Sequence, residues 1–133
     1  MKKKIYQLEK IGNLLVCKAA LMGNNGVRIA KYLIDTGSTY TIIPVEVLTS
    51  TGYELTTIKE HVRLITGSGY IIAPYLKVTG VQVLGNLLND FKVVAHTLPP
   101  NRIARGVIGM DLLTRINGVI WTKKGLVEVE IKR

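Results

Sequence analysis

The feature that most limits what this chain can fold into is the shortness of its apolar runs. They last a few residues and are cut by turn signals such as Gly23-Asn24-Asn25-Gly26, Gly67-Ser68-Gly69, Asn117-Gly118 and Lys124-Gly125. Glycine and asparagine supply the backbone angles that tight turns need, and runs of this length suit strands rather than long helices. The pattern predicts strands at Leu14–Leu21 and Val27–Ile34, joined through Asn25-Gly26, and a short one at Tyr40–Ile43. Further strands are expected at His61–Thr66, Tyr70–Leu76, Val78–Leu84, Phe91–Ala95, Val107–Ile108, Val119–Thr122 and Leu126–Ile131. Pro44 suits the first turn of a helix over Val45–Ser50, stopped by Gly52, and Asp111–Ile116 reads as one or two helical turns. About nine short strands with one or two short helices predict an all-β, barrel-like domain over residues 1–133. A weak internal echo, apolar strand then glycine then short helix, occurs near Ile34–Leu48 and again near Val107–Leu113.

Composition narrows the function classes. The chain has 133 residues, 47% hydrophobic and 20% charged, which are globular values. Its net charge of +9 raises the question of nucleic acid, but the cations are scattered. With one Phe and one Trp there is no aromatic platform among basic residues, so no nucleic-acid partner is expected. The one dense run, Lys2-Lys3-Lys4, reads as a basic tail. No stretch approaches the ~18 unbroken apolar residues of a membrane span. The apolar segment Ile11–Met22 is interrupted by Asn13 and Lys18 and lacks a clean cleavage site, unlike a signal peptide. The lone Cys17 cannot form an internal disulfide, which suits a reducing, cytoplasmic setting. Cys17 with His61 or His96 could in principle make a nucleophile pair, but no flanking residues support it, and no His/Cys spacing reads as a metal site.

The chemistry concentrates in Tyr32-Leu33-Ile34-Asp35-Thr36-Gly37-Ser38-Thr39. A carboxylate directly after an apolar strand end is costly to bury unless it is used. Gly37 permits a sharp turn beside it, and Thr36 and Ser38 supply hydroxyls that can hold the turn and hydrogen-bond the carboxylate. A strand-ending Asx-turn, with Asp35 capping its own loop, fits the tripeptide equally well. An Asp-x-Gly-Ser/Thr segment also occurs in the phosphate loop of the actin-like fold, which needs two large domains and a far longer chain. A haloacid-dehalogenase site wants a second Asp where Gly37 stands.

Three blocks in order carry a resemblance. Leu33 to Ser38 followed by Thr41-Ile42-Ile43-Pro44 resembles the catalytic loop of the retropepsin-like aspartic proteases. Leu64-Ile65-Thr66-Gly67-Ser68-Gly69-Tyr70-Ile71 resembles their glycine-tipped flap, with Thr66, Gly67, Ser68 and Gly69 over the substrate. Gly106-Val107-Ile108-Gly109-Met110-Asp111-Leu112-Leu113 resembles the segment that braces the catalytic loop, through Ile108 and Gly109. The resemblance implies a closed β-barrel of the acid protease fold, a flap hairpin, Asp35 as the catalytic residue and no cofactor. It departs from the retroviral members at Ser38, where they often carry Ala, and at Met110, where they carry an Arg of the interface ion-pair network. The chain is closer in these respects to prokaryotic or cellular members.

Aspartic peptide hydrolysis needs two facing carboxylates that share one proton. This chain has one Asp-Thr-Gly, and neither Asp90 nor Asp111 is followed by Thr-Gly or Ser-Gly. The resemblance therefore implies a homodimer acting on polypeptide, with two Asp35 residues meeting on a two-fold axis. Retropepsin chain ends often build the dimer sheet. That places Leu126–Ile131 and the lysines at the interface, so that removing residues 127–133 would leave a monomer. Arg28, Ile65, Tyr70, Ile71 and Leu98-Pro99-Pro100 are the candidates for substrate preference. The rival function on the same fold is a catalytically silent dimeric module that binds an extended peptide without cutting it.

Overall fold

The computed structural model describes residues 2–99 and 103–131. The first half of the chain forms β1 (Lys2–Gln7), β2 (Glu9–Ile11), β3 (Leu14–Gly23), β4 (Gly26–Ile34), β5 (Ile42–Ile43) and α1 (Val45–Ser50). The second half adds β6 (His61–Thr66), β7 (Gly69–Val83), β8 (Asn86–Ala95), β9 (Val107–Ile108), α2 (Met110–Arg115), β10 (Val119–Trp121) and β11 (Leu126–Ile131).

The main sheet runs β2-β3-β4-β9-β5-β8-β7-β6, and a further pairing of β3 with β7 closes it into a barrel. Closure follows from strand length. β7 pairs with β6 from Pro74 back to Gly69, then continues between β8 and β3, where Ala19↔Val83 through Met22↔Gly80 complete the ring. A long strand that bends can serve two neighbours at its two ends, which removes exposed edges. The expected break at Lys77 does not occur. Lys77 is exposed and lies opposite Lys92, so a polar residue on the outer face interrupts the apolar run without ending the strand.

The interior is filled by inward-facing side chains of the long strands. Leu21, Val78, Val81, Val83 and Val93 are essentially inaccessible, and Leu48 of α1, Leu112 of α2 and Ile116 just after it join the same core. A second, smaller cluster of Ile42, Ala73, Val94 and Val107 lies against Leu33, Tyr40, Val62, Leu64, Tyr75 and Leu98. It joins the base of the β6–β7 hairpin to the strands flanking Asp35, so apolar burial fixes where that hairpin stands relative to the carboxylate.

The lysine run is not a tail. β1 pairs antiparallel with β11 from Lys2↔Ile131 to Gln7↔Leu126, and β10 pairs with the other side of β11. Alternation decides it. Tyr6 packs on the core while Lys3 points outward, 4.0 Å from Glu128. The strand expected at Leu126–Ile131 is present, with Val127 and Val129 facing in at 1% and 0% exposure. They belong to the core of their own chain, so removing residues 127–133 also removes part of that core. Among the described residues no helix is long and apolar enough to cross a membrane.

Candidate active site

The loop that carries Asp35 connects two strands that do not touch each other. β9 lies between β4 and β5, parallel to β4 (Leu33↔Val107, Ile34↔Ile108) and antiparallel to β5 (Ile42↔Val107). The loop from Asp35 to Thr41 must therefore pass over the end of β9, and the chain after β9 holds it from below. Asp35 N–H donates to the Ile108 carbonyl (3.0 Å), and Met110 N–H donates to the Ser38 carbonyl (2.8 Å). Ile108 and Gly109 thus occupy the bracing position expected of them. Gly109 must be glycine for reasons of space. A Cβ there would collide with the Tyr40 carbonyl and come within 2.9 Å of the Ser38 carbonyl.

Within the loop, Ser38 N–H donates to the Asp35 carbonyl (3.1 Å) and Gly37 N–H donates to Asp35 Oδ1 (3.0 Å). The local geometry is the carboxylate-to-backbone turn that the tripeptide suggested, and it also fixes the direction of the carboxyl group. Gly37 achieves this without a positive φ; its value lies in letting its N–H approach the carboxylate. The Ser38 hydroxyl donates to the Tyr40 carbonyl (2.7 Å) and not to Asp35. With its one proton committed there, Ser38 holds the loop and has no proton left to stabilise the Asp35 carboxylate directly.

Sequence reasoning passed over the strongest anchor. Asp111 accepts from Thr41 N–H (3.1 Å), from the Thr41 hydroxyl (2.8 Å) and from Leu112 N–H (2.7 Å), while Thr41 Oγ1 accepts from Gly109 N–H (3.1 Å). Thr41 is fully buried. The far end of the Asp35 loop is thereby locked to the first turn of α2 by charge-assisted bonds. The signal was present as an acid two residues beyond the brace glycine, considered only as a second catalytic carboxylate.

Half-buried Asp35 lies on a cleft of about 310 Å³. Gly37, Ser38 and Ile42 line it from the loop side, Leu64, Ile65, Thr66 and Ile71 from the β6–β7 hairpin, and His96 and Leu98 from beyond β8. The β6–β7 hairpin therefore borders the same cleft as the carboxylate, with Thr66 in the wall and Gly67, Ser68 and Gly69 at its exposed tip. Gly69 has φ +143°, a conformation side chains disfavour, whereas Gly67 has no such requirement. Thr36 is exposed and lies on a neighbouring groove with Met110, Leu113 and Ile120.

Of the candidates for substrate preference, Ile65, Ile71 and Leu98 reach the cleft. Arg28 does not act there but donates to the Ser50 hydroxyl (3.1 Å). Tyr70 does not line the cleft and lies under the Arg63 guanidinium at 4.4 Å. Pro100 lies outside the described residues. Burial pushes the Cys17 thiol up to about 12, which removes it as a thiolate nucleophile.

A family model described as "gag-polyprotein putative aspartyl protease" matches residues 22–115, more than half of the chain and all of the loop, hairpin and brace. The chain belongs to that family. Among solved structures it is similar to a retropepsin-like aspartic protease from Rickettsia conorii, with 21% identity, a TM-score of 0.66, and coverage of 96% of this chain and 90% of that one. No curated protein matches the chain by sequence. The barrel with its inserted β9 is thus the retropepsin-like fold, and family and fold together support protease-type function of the aspartic class.

Proposed function

We propose that the protein is an aspartic endopeptidase of the cytoplasm that works as a homodimer, each copy supplying Asp35. The observation that carries this reading is the setting of Asp35. It is a single carboxylate, fixed in direction by Gly37 N–H, at the wall of a cleft overhung by a glycine-tipped hairpin. One such group cannot both accept and donate a proton in the same step, so the chemistry calls for a second.

In the proposed reaction a water molecule lies between the two Asp35 carboxyl groups, which share one proton. The ionised carboxylate takes a proton from that water as its oxygen attacks the scissile carbonyl carbon. The protonated partner hydrogen-bonds the carbonyl oxygen and transfers its proton to it, which gives a neutral gem-diol. The carboxyl group that gained the water's proton then delivers it to the leaving nitrogen. The C–N bond breaks as the other carboxylate takes back a hydroxyl proton, and the pair returns to its starting state. The apolar wall formed by Leu64, Ile65, Ile71 and Leu98 suits side chains of an extended polypeptide and keeps the water population small. The hairpin acts as a lid over that peptide. The lone buried Cys17 suits a reducing compartment.

The test is incubation with denatured protein from about pH 3 to about pH 8, the range over which a carboxyl pair titrates, with sedimentation in parallel. The wild-type chain should cleave internal peptide bonds as a dimer, and Asp35→Asn should abolish cleavage while the dimer persists. Undiminished cleavage by Asp35→Asn, or full activity from a strict monomer, would refute the reading. A dimer that binds peptide without cutting it at any pH would point to the silent module.

A further inference from the structure

The three-stranded sheet runs β1-β11-β10, so β1 and β10 each have one unpaired side in it. β10 is three residues long, whereas β1 presents six, Lys2–Gln7, in unbroken register with β11. Alternate residues of such a strand direct their N–H and C=O groups away from the paired neighbour, which leaves a template for a further strand. Edges are commonly protected by shortness, proline, a bulge or charge. β1 has neither proline nor bulge, and its protection is Lys2-Lys3-Lys4. Among the described residues only one carboxylate forms an ion pair with this run, Glu128 at 4.0 Å from Lys3. Lys4 lies over the Tyr6 ring at 5.1 Å, and neither it nor Lys2 has a carboxylate partner there.

Protection by charge is selective. A second β1 would bring the same three cations to the seam, whereas an acidic strand is attracted to them. The occupied side of β1 shows what the open side accepts. There β11, Leu126-Val127-Glu128-Val129-Glu130-Ile131, alternates apolar and acidic residues, with Glu130 opposite Lys3 and Glu128 opposite Ile5. The remaining acidic residues of the chain are isolated along the sequence, and β11 is itself paired on both sides. A further strand of this kind has to come from another polypeptide. We propose that the open edge of β1 binds, by strand addition, an extended segment of another protein in which acidic and β-branched residues alternate. Main-chain hydrogen bonds hold the segment, and the lysines select it. Lys2 and Lys4 lie on one face of β1 and Lys3 on the other, so acids on either face of the added strand meet a cation. This binding is separate from the Asp35 cleft and does not depend on the peptidase reading.

The test is fluorescence anisotropy of a labelled, end-blocked Val-Glu-Val-Glu-Val-Glu peptide with the full chain carrying Asp35→Asn, so that the probe stays intact. Binding should be saturable and should weaken about fivefold in Lys2→Gln/Lys4→Gln, whose circular dichroism stays that of the parent. A Val-Lys-Val-Lys-Val-Lys peptide should not bind. N-methylation of one alternate set of peptide amides should abolish binding and methylation of the other set should spare it, because only one set faces β1. Hydrogen exchange should slow at alternate amides of β1. Equal binding by Lys2→Gln/Lys4→Gln, or indifference to both methylation patterns, would overturn the proposal. Slowed exchange confined to the β6–β7 hairpin would place the peptide in the cleft and overturn it too. Dissociation of a wild-type dimer by the peptide, read by sedimentation, would assign the edge to a second copy and likewise overturn it. None of these readings changes with whether the wild type cleaves protein.

Discussion

The Asp35 loop and the β6–β7 hairpin are both short, polar and glycine-bearing, yet they are held very differently. Asp35–Thr41 is tied at its start to Ile108, at its middle to Met110 and at its end to Asp111. All of these partners lie some seventy residues away in sequence. The hairpin is held by its own two-strand ladder and by Val62 and Leu64 at its base. It leaves Ile65, Tyr70 and Ile72 exposed at 78%, 57% and 58%. Local opening is governed by the contacts that must break, so the loop shares the stability of the whole barrel and the hairpin does not. The Asp35 carboxyl group is thus held in place by distant partners, while the hairpin can open on its own. Similar residue types serve both because distant backbone partners are supplied to one and withheld from the other.

The sharpest test of this contrast is Gly109→Ala. With a Cβ forced against the Tyr40 carbonyl, we expect a loss of about 3 kcal/mol or more by urea denaturation, with activity lost in proportion to the folded fraction. Asp111→Ala should come next, at about 2 kcal/mol, because it leaves buried Thr41 donors unpaired. Here kcat should fall at least tenfold even in the folded protein, and Asp111→Asn, which still accepts, should recover part of both. The smallest effects belong to the hairpin tip. Gly69→Ala should cost about 1 kcal/mol and alter kcat/KM, since φ +143° is strained for alanine. Gly67→Ala, with open space around it, should stay within about 0.5 kcal/mol. A hairpin-tip substitution that unfolds the protein as readily as Gly109→Ala would break the contrast.

What could be read from the residues was local. Turn dipeptides and alternation located most strands. α1 (Val45–Ser50), β6 (His61–Thr66), β9 (Val107–Ile108) and β11 (Leu126–Ile131) lie where the pattern put them. The misreadings have one cause, which is that pairing partners are not written in the segment itself. Lys2–Lys4 looks solvated until β11 is beside it, and β7 looks like two strands until its bend around the barrel is seen. At the site, the order of loop, hairpin and brace was legible, while the direction of each hydroxyl was not. Ser38 and Thr41 carry the same functional group, and only tertiary placement sends one to the Tyr40 carbonyl and the other to Asp111. Asp111 was visible as an acid but its partner lay 70 residues upstream.

The pairing of β1 with β11 bears on how the protein is made. β1 is completed by β11, from Lys2↔Ile131 to Gln7↔Leu126, and Val127 and Val129 enter the core only once β11 has emerged. Contacts of such sequence separation form late. Until β11 has been made, the nascent barrel lacks these core side chains.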